Sequence, residues 1–255
     1  MFPLRDENPT ELFPIFTVLL IAANVAVWFY VQGAGMSMDA LQQSVCTYGA
    51  IPAEITGQAD PLPFEMRQQG LTCPAGGLTW SALLTSMFLH GGWFHLIGNM
   101  WFLWIFGNNI EDSMGHLRFL LFYVLTGLAA AGGHVLSAPG SQIPIVGASG
   151  AISGIMGAYL VLYPRVRVLT LFFIIIFIRV IPLPAWVMLG YWFLIQIVSG
   201  TATPAAGAGV AFWAHIGGFV AGVVLIKLFE KKELTSAKKA KIQLDRRTIA
   251  HRGWY

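Results

Sequence analysis

The sequence predicts an all-α, polytopic membrane protein whose six transmembrane helices form one bundle. Of the 255 residues, 56% are hydrophobic and only 11% are charged. Soluble domains carry roughly 25% charged residues, so a chain this apolar could not keep a large surface in contact with water. The lipid bilayer is therefore the expected solvent of the protein and its expected partner.

Six stretches are apolar enough to serve as the spans. A spanning helix needs about 20 mostly apolar residues, and the candidates are Phe13–Gln32, Ser86–Asn108, Leu117–Leu136, Gly147–Tyr163, Leu183–Ser199 and Ala208–Phe229. The further apolar stretch Val168–Ile178 has only eleven residues before Arg179, and as a helix it would cover about 16 Å, roughly half of the hydrocarbon core. Because Pro182 and Pro184 separate it from the fifth span, we expect an interfacial or partly buried lead-in to that span.

The positive charges indicate the orientation of the bundle. Nine of the fifteen Lys and Arg residues lie between Lys227 and Arg252, and if this basic tail is cytoplasmic, fourteen of the fifteen fall on the cytoplasmic side. Only Arg67 falls on the outer side. Such an excess follows the positive-inside rule. We therefore expect a multi-pass protein of the cell membrane whose N- and C-termini are both cytoplasmic.

The same topology divides the chain into regions. Residues 1–12 form a short cytoplasmic N-terminus, residues 13–229 form the six-span membrane domain, and residues 230–255 form the basic cytoplasmic tail. Residues 33–85 form a large outer loop within the membrane domain. Its apolar side chains predict that this loop lies partly against the membrane surface.

Two features of the outer loops stay open on sequence alone. Cys46 and Cys73 are the only cysteines, and both fall in the large outer loop. They are either two free thiols or, if the loop faces an oxidising compartment, a disulfide. The small residues of Gly200–Gly207 are typical of a mobile cover over a site but also of an ordinary connector.

Four polar side chains inside the predicted spans require an explanation, because polar groups in lipid are costly. Ser149 lies at the beginning of the fourth span and His215 near the beginning of the sixth. Both spans run inward from the outer surface, so the two side chains share a depth. His95 and Asn99 are spaced i, i+4 in the outer half of the second span and lie on one helix face. Each alone is typical of helix packing, but four at one depth on three helices predict a common site.

Glycines on the fourth and sixth spans allow these two helices to approach closely. Gly150 and Gly154 on one span, and Gly218 and Gly222 on the other, are each four residues apart. This spacing removes side chains from one helix face, and by itself it is typical of packing alone. Here the same faces carry the serine and the histidine, so we expect the hydroxyl and the imidazole to lie within about 2.6–3.2 Å.

A serine paired with a histidine indicates nucleophilic catalysis. The hydroxyl is a weak nucleophile near neutral pH and needs a base, and histidine is suited to accept its proton. Ser149 begins a helix, where its own backbone N–H is unsatisfied and can donate to a developing oxyanion. His95 and Asn99 offer two more N–H donors. We therefore predict Ser149 as nucleophile, His215 as general base, and an oxyanion site formed by His95, Asn99 and the Ser149 N–H.

Four motifs follow one another along spans two to six. They are His90-x-x-x-x-His95-x-x-x-Asn99, Glu111-x-x-x-Gly115, Gly147-x-Ser149-Gly150 with Gly157 eight residues after the serine, and Ala214-His215-x-x-Gly218-x-x-x-Gly222. Gly-x-Ser-Gly alone is a weak signal, but all four in this order on spans of matching direction are a strong one. From about Thr79 to Phe229, the chain resembles the rhomboid family of intramembrane serine proteases.

The resemblance implies a serine endopeptidase with a Ser–His dyad and no acidic third member. It implies that His95, Asn99 and the Ser149 N–H stabilise the oxyanion, that His90 supports the outer loop, and that a water-filled pocket opens outward. The implied substrates are single-span membrane proteins, cut near the outer end of their transmembrane helix. The sequence departs from the pattern at one position. Some members carry an aromatic residue four residues after the nucleophile, packed on the base, whereas here Ser153 occupies that position.

Other classes of membrane protein fit the sequence less well. An aspartyl intramembrane protease needs two intramembrane Asp residues, and no predicted span contains Asp or Glu. A zinc protease needs a motif such as His-Glu-x-x-His, which is absent. His90 and His95 have no carboxylate or thiolate at ligand spacing, so we predict no metal and no cofactor. We also expect no nucleic-acid partner. The alternatives are a small transporter and a rhomboid-like protein that binds transmembrane clients without cutting them.

Overall fold

The computed structural model describes residues 1–59, 73, 80–174, 177–203 and 210–239, and within them the chain is mostly helical. In chain order the helices are α1 (Ile15–Tyr30), α2 (Met38–Tyr48), α3 (Pro52–Ile55), α4 (Ala82–Thr85), α5 (Trp93–Phe102), α6 (Asn108–Met114), α7 (His116–Ser137), α8 (Ser149–Leu162), α9 (Ala185–Ala202), α10 (Phe212–Phe229) and α11 (Lys232–Lys239). The strands are β1 (Phe2–Asp6), β2 (Arg167–Ile174) and β3 (Phe177–Pro184).

Three helices in the described part of the chain, α7, α9 and α10, are long and apolar enough to cross a membrane. They match the third, fifth and sixth predicted spans within a few residues. Helices α1 and α8 are also apolar but shorter, and they match the first and fourth. The second predicted span is not one regular helix. It begins with the 3₁₀ turn Ser86–Phe88, continues through a loop into α5, and ends in a π-helical turn over Leu103–Gly107. The count of six spans therefore stays a prediction.

Helix α8 lies at the centre of the bundle, and α10 packs directly on its backbone. A β-carbon added to Gly218 would collide with the carbonyl group of Gly150, and one added to Gly222 would collide with that of Gly154. This contact between two backbones is the close approach that the Gly-x-x-x-Gly spacing predicts. It brings the first turn of α8 beside the first turn of α10.

Helix α7 packs against α8 through small residues as well. A β-carbon at Gly150 would lie 2.6 Å from the β-carbon of Ala130, and one at Gly154 would meet the side chain of Thr126. Large apolar side chains of α7 that are fully buried, such as Phe119 and Phe122, fill the rest of the interior. Because α8 is enclosed by neighbours along nearly its whole length, its first residue is held in a fixed position.

A buried carboxylate joins α1 to α6 at the end of the bundle remote from Ser149. Glu111, which has no exposed surface, accepts hydrogen bonds from the backbone N–H groups of Phe16 (2.9 Å) and Thr17 (2.8 Å) and from the Thr17 hydroxyl (2.7 Å). The Nδ1 atom of His116 lies 2.6 Å from the same carboxylate. The first N–H groups of a helix have no partner within it, so Glu111 caps α1. The chain then turns at Gly115, whose φ is 81°, to enter α7.

The stretch predicted as a lead-in to the fifth span forms strands instead. Strands β2 and β3 pair antiparallel from Arg167↔Pro184 to Ile174↔Phe177, and β1 pairs with the other side of β2. The all-α expectation is therefore wrong here. The segment is rich in β-branched and aromatic residues, which favour strands, and its prolines lie in the edge strand β3, where a missing N–H is tolerated. The strand β1 also gives the predicted N-terminal region a regular structure.

Helices α2 and α3 belong to the predicted outer loop. Cys46 in α2 forms a disulfide with Cys73, with Cα atoms 5.1 Å apart, which decides between the two alternatives left open by the sequence. The backbone of Ala50 pairs with that of Ile145, close to the loop that leads into α8. Positions 60–72 and 74–79 of the predicted outer loop lie outside the described residues, as do half of the predicted cover (204–207) and the tail from 240 onward.

Candidate active site

Ser149 and His215 face each other across the glycine contact between α8 and α10. Ser149 is the first residue of α8, and His215 lies in the first turn of α10. The Oγ atom of Ser149 and the Nε2 atom of His215 are 2.8 Å apart, which is a hydrogen-bond distance. The sequence predicted this proximity from the span directions and the glycine faces.

The other ring nitrogen of His215 contacts a residue that the sequence analysis missed. The Nδ1 atom lies 2.8 Å from the Oε1 atom of Gln196 in α9. The ring of Trp192, one turn earlier in α9, lies 5.9 Å from the imidazole, centroid to centroid. A signal for Gln196 was present in the sequence, because an amide within an otherwise apolar span needs a partner.

Ser153 occupies the position where the resemblance leads one to expect an aromatic residue. Its hydroxyl donates a hydrogen bond to the carbonyl oxygen of Ser149 within α8, at 2.6 Å. A serine bonded in this way satisfies its own polar group and offers no ring surface to a neighbour. The aromatic contact to the imidazole comes from α9 instead.

Gly147 brings the predicted donors of α5 close to the beginning of α8. Its φ is 118°, a backbone conformation that residues other than glycine rarely adopt. A β-carbon at this position would lie 2.7 Å from Nε2 of His95 and 3.5 Å from Nδ2 of Asn99. Both side chains therefore face the backbone that leads into Ser149.

The hydrogen bonds around α5 determine which atoms can donate toward Ser149. The backbone N–H of Gly91 donates to Nδ1 of His95 at 3.2 Å, so the proton of the neutral ring is on Nε2, the atom beside Gly147. Asn99 is buried, and its Nδ2 atom has no hydrogen-bond partner among the residues that the structure describes. Two N–H donors thus lie beside the N-terminus of α8.

His90 lies behind His95 and is fully buried, with the two ring centroids 5.1 Å apart. The side chain of Gln32 accepts a hydrogen bond from the backbone N–H of His90 and donates one to its carbonyl oxygen, both at 2.8 Å. This pair of bonds ties the chain after α1 to the loop before α5. Within the described part of the chain, no group of three or more His, Cys, Asp or Glu residues is arranged to hold a metal ion.

A pocket of about 710 Å³ opens in front of Ser149, between α5 and α9. Its polar lining includes His95, Asn99, Ser149, Ser153 and His215. Its apolar lining includes Phe102, Ile152, Met156 and Trp192. The pocket thus combines a nucleophile, a base and N–H donors with walls suited to an apolar ligand.

Comparison with known proteins identifies the family. A family model described as the Rhomboid domain matches residues 77–232, more than half of the chain. Similar proteins include RHOMBOID-like protein 6, mitochondrial, of Arabidopsis thaliana (47% identity over 31% of this chain and 25% of that protein). Rhomboid protease GluP of Bacillus subtilis is 32% identical over 58% of this chain and 24% of that protein. Rhomboid protein 1, mitochondrial, of Saccharomyces cerevisiae is 29% identical over 56% of this chain and 40% of that protein. The matches thus span less than half the length of these relatives. The chain belongs to the rhomboid family of membrane-embedded proteins.

Proposed function

We propose that this protein is an intramembrane serine endopeptidase, with Ser149 as nucleophile and His215 as general base. The observation that carries the proposal is the 2.8 Å contact between the serine Oγ and the histidine Nε2 at the edge of a pocket. Membership of the rhomboid family supports a hydrolase of this class, and the Bacillus subtilis relative is named a rhomboid protease.

The proposed reaction has two steps. In the first, Nε2 of His215 takes the hydroxyl proton as Oγ of Ser149 attacks the scissile carbonyl carbon. The imidazolium then gives that proton to the leaving amine, and the peptide bond breaks to leave an acyl-enzyme. In the second, His215 takes a proton from water, the hydroxide attacks the ester, and the carboxylic acid leaves as the serine regains its proton.

Three donors support the charge that develops on the carbonyl oxygen. They are the backbone N–H of Ser149, the Nε2–H of His95 and the Nδ2–H of Asn99. The position of His95 and Asn99 beside Gly147 supports this role, and the N-terminal end of a helix dipole favours negative charge. A single donor of this kind typically contributes about 10²- to 10³-fold to kcat.

The proposed substrates are transmembrane helices, in particular those of single-span proteins cut near the outer end of the span. A regular helix engages its carbonyl groups in hydrogen bonds, so the substrate must unwind locally before attack. Small or helix-breaking residues near the cut should therefore be favoured. The apolar walls of the pocket suit side chains that arrive from lipid.

The proposed setting is the cell membrane, with six spans and both termini in the cytoplasm. Helices α1, α7, α8, α9 and α10, together with the second predicted span, Ser86–Asn108, would make up the six. The distribution of Lys and Arg along the chain supports this orientation, and it makes the end of the bundle that carries Ser149 the outer one.

The test is cleavage of a single-span substrate by purified protein in liposomes. Ser149→Ala and His215→Ala should each abolish cleavage and labelling by a fluorophosphonate while the thermal unfolding transition stays near that of the unmodified protein. Ser113→Ala is a matched control, because this buried hydroxyl bonds the Ile110 carbonyl within its own helix at the remote end. It should retain full cleavage.

Undiminished cleavage by Ser149→Ala would overturn the proposal. A protein that only binds transmembrane clients would retain the substrate in a pull-down but neither cut it nor react with the fluorophosphonate. That result with the unmodified protein would also contradict the proposed activity.

A further inference from the structure

We infer that Gln196 is a positioning residue that holds the imidazole of His215 in the tautomer needed to accept the serine proton. The inference rests on the proposed function. The hydroxyl of Ser153 bonds the carbonyl oxygen of Ser149, so another residue must orient the base, and Gln196 contacts it. Gln196 acts from α9, a different helix from those that carry the nucleophile and the base.

The hydrogen bonds of the Gln196 amide define which of its atoms faces the histidine. Its Nε2 atom, a donor only, lies 3.4 Å from the carbonyl oxygen of Trp192 one turn earlier in α9. Its Oε1 atom, an acceptor only, therefore points to Nδ1 of His215, at 2.8 Å. An acceptor at this distance requires that Nδ1 carry the ring proton.

The tautomer follows directly from that contact. A neutral imidazole with its proton on Nδ1 presents a lone pair at Nε2, the atom 2.8 Å from Oγ of Ser149. In the other tautomer Nε2 would carry a proton and could not accept the one from the serine. The Gln196 amide thus holds the histidine in the required tautomer, as the carboxylate of a Ser-His-Asp triad does.

The surroundings keep this contact in place. Only 6% of Gln196 is exposed, so water competes weakly for its oxygen. The ring centroid of Trp192 lies 5.9 Å from that of the His215 imidazole. The ring centroid of Phe219 lies 6.0 Å from that of Trp192. These ring contacts limit tilting of the imidazole. The amide dipole also stabilises the imidazolium that forms during attack, without a buried negative charge in the resting protein.

Two substitutions separate hydrogen bonding from packing. Gln196→Met keeps the length of the side chain but removes the acceptor of a hydrogen bond from the imidazolium, and we expect kcat to fall about 10- to 100-fold with KM nearly unchanged. Gln196→Glu keeps an acceptor and should recover about tenfold or more of that loss. Its carboxylate favours the protonated imidazole, so the acidic limb of the pH–rate profile should move to higher pH.

The control is Gly190→Ala in the same helix, because a β-carbon at Gly190 meets no heavy atom within 4 Å among the described residues and Gly190 does not line the pocket. It should leave kcat and the pH profile unchanged. A Gln196→Met protein with wild-type kcat would overturn the inference. So would a Gln196→Glu protein that is as slow as Gln196→Met and has the wild-type pH profile, because a packing role alone explains that result.

A readout without substrate distinguishes this inference from the proposed function. Nitrogen NMR of ¹⁵N-histidine-labelled protein, with the His215 signals assigned by His215→Asn, reports which ring nitrogen carries the proton. We expect Nδ1 in the unmodified protein and a mixture of tautomers in Gln196→Met. A proton on Nε2 in the unmodified protein would refute the positioning role even if the protein cleaves. If the protein does not cleave but Nδ1 is protonated, the proposed function fails while the effect of Gln196 on the tautomer stands.

Discussion

Replacing Gly222 by alanine tests the helix contact on which the proposed site depends. Gly222 lies in the middle of α10, two turns away from His215 and outside the pocket lining. The β-carbon of an alanine here would overlap the carbonyl group of Gly154 in α8. The colliding atoms belong to a backbone, so no side chain can rotate away to make room.

The size of the effect follows from the contact distances. Non-bonded heavy atoms normally approach to about 3.5–4.0 Å, so α8 and α10 must separate by about 1–2 Å to accept the methyl group. The distance from Ser149 Oγ to His215 Nε2 is 2.8 Å, and an increase of even 1 Å exceeds the hydrogen-bond limit. A misplacement of 1 Å can lower a rate about 10²-fold. Overpacking also lowers stability by about 1–3 kcal/mol.

The assay is kcat for cleavage of a single-span substrate in liposomes, with labelling by a fluorophosphonate as a second measurement. Gly132→Ala in α7 is the control, because a β-carbon at this helical glycine meets no heavy atom within 4 Å among the described residues, apart from the nearby backbone of its own helix. It should cleave at the wild-type rate and unfold at the same or a slightly higher temperature. A Gly222→Ala protein with wild-type kcat would refute the argument that backbone contact between α8 and α10 sets the distance between hydroxyl and imidazole.

Three further predictions concern other parts of the molecule. Asn99→Leu should lower kcat about 10²-fold while raising the unfolding temperature, and an unchanged kcat would count against a role for this amide in the reaction. Glu111→Ala should lower the free energy of unfolding by about 3 kcal/mol, because the N–H groups of Phe16 and Thr17 lose their acceptor. The measurement is denaturant titration in detergent, and a loss below about 0.5 kcal/mol would contradict this prediction. Cys46→Ser should make Cys73 reactive toward an impermeant maleimide added outside intact cells, whereas the unmodified protein, with its disulfide, should not react.

The arrangement of Ser149 and His215 could be predicted because local patterns determine it. Both residues stand near the beginning of predicted spans that run in the same direction, and each is followed by glycines four residues apart. These patterns fix the depth of each side chain and the helix face that permits close packing, so a distance between the two groups follows without knowledge of the rest of the bundle.

The contact of Gln196 with His215 could not be predicted in the same way. The two residues belong to neighbouring helices, but their meeting depends on how α9 is rotated about its axis. The helix α9 itself carries apolar residues on nearly all of its faces, so its sequence has no distinct polar face that would reveal the rotation. The amide itself was a detectable signal; its partner was not.

The β-hairpin of β2 and β3 was missed for a different reason. A short apolar run is compatible with a buried helix or with a strand, and periodicity alone does not distinguish them. The composition of Val168–Ile178, rich in Phe and Ile, favours a strand. What the sequence does not reveal is that residues 2–6 supply a partner for β2, which makes a sheet at this end of the bundle possible.

The two ends of the bundle satisfy their polar groups differently, and this difference explains why a loss of Asn99 should raise stability. At the remote end, the carboxylate of Glu111 accepts bonds from the first N–H groups of α1 and lies beside His116, so its burial is compensated. At the other end, the Nδ2 donors of the buried Asn99 have no partner among the described residues, and such a group lowers stability by about 1–3 kcal/mol. In the proposed mechanism, the acceptor of this donor is the oxyanion, which is present only during the reaction. Removing it relieves the resting protein of the unsatisfied group and removes the stabilisation of the oxyanion, so stability and rate should change in opposite directions.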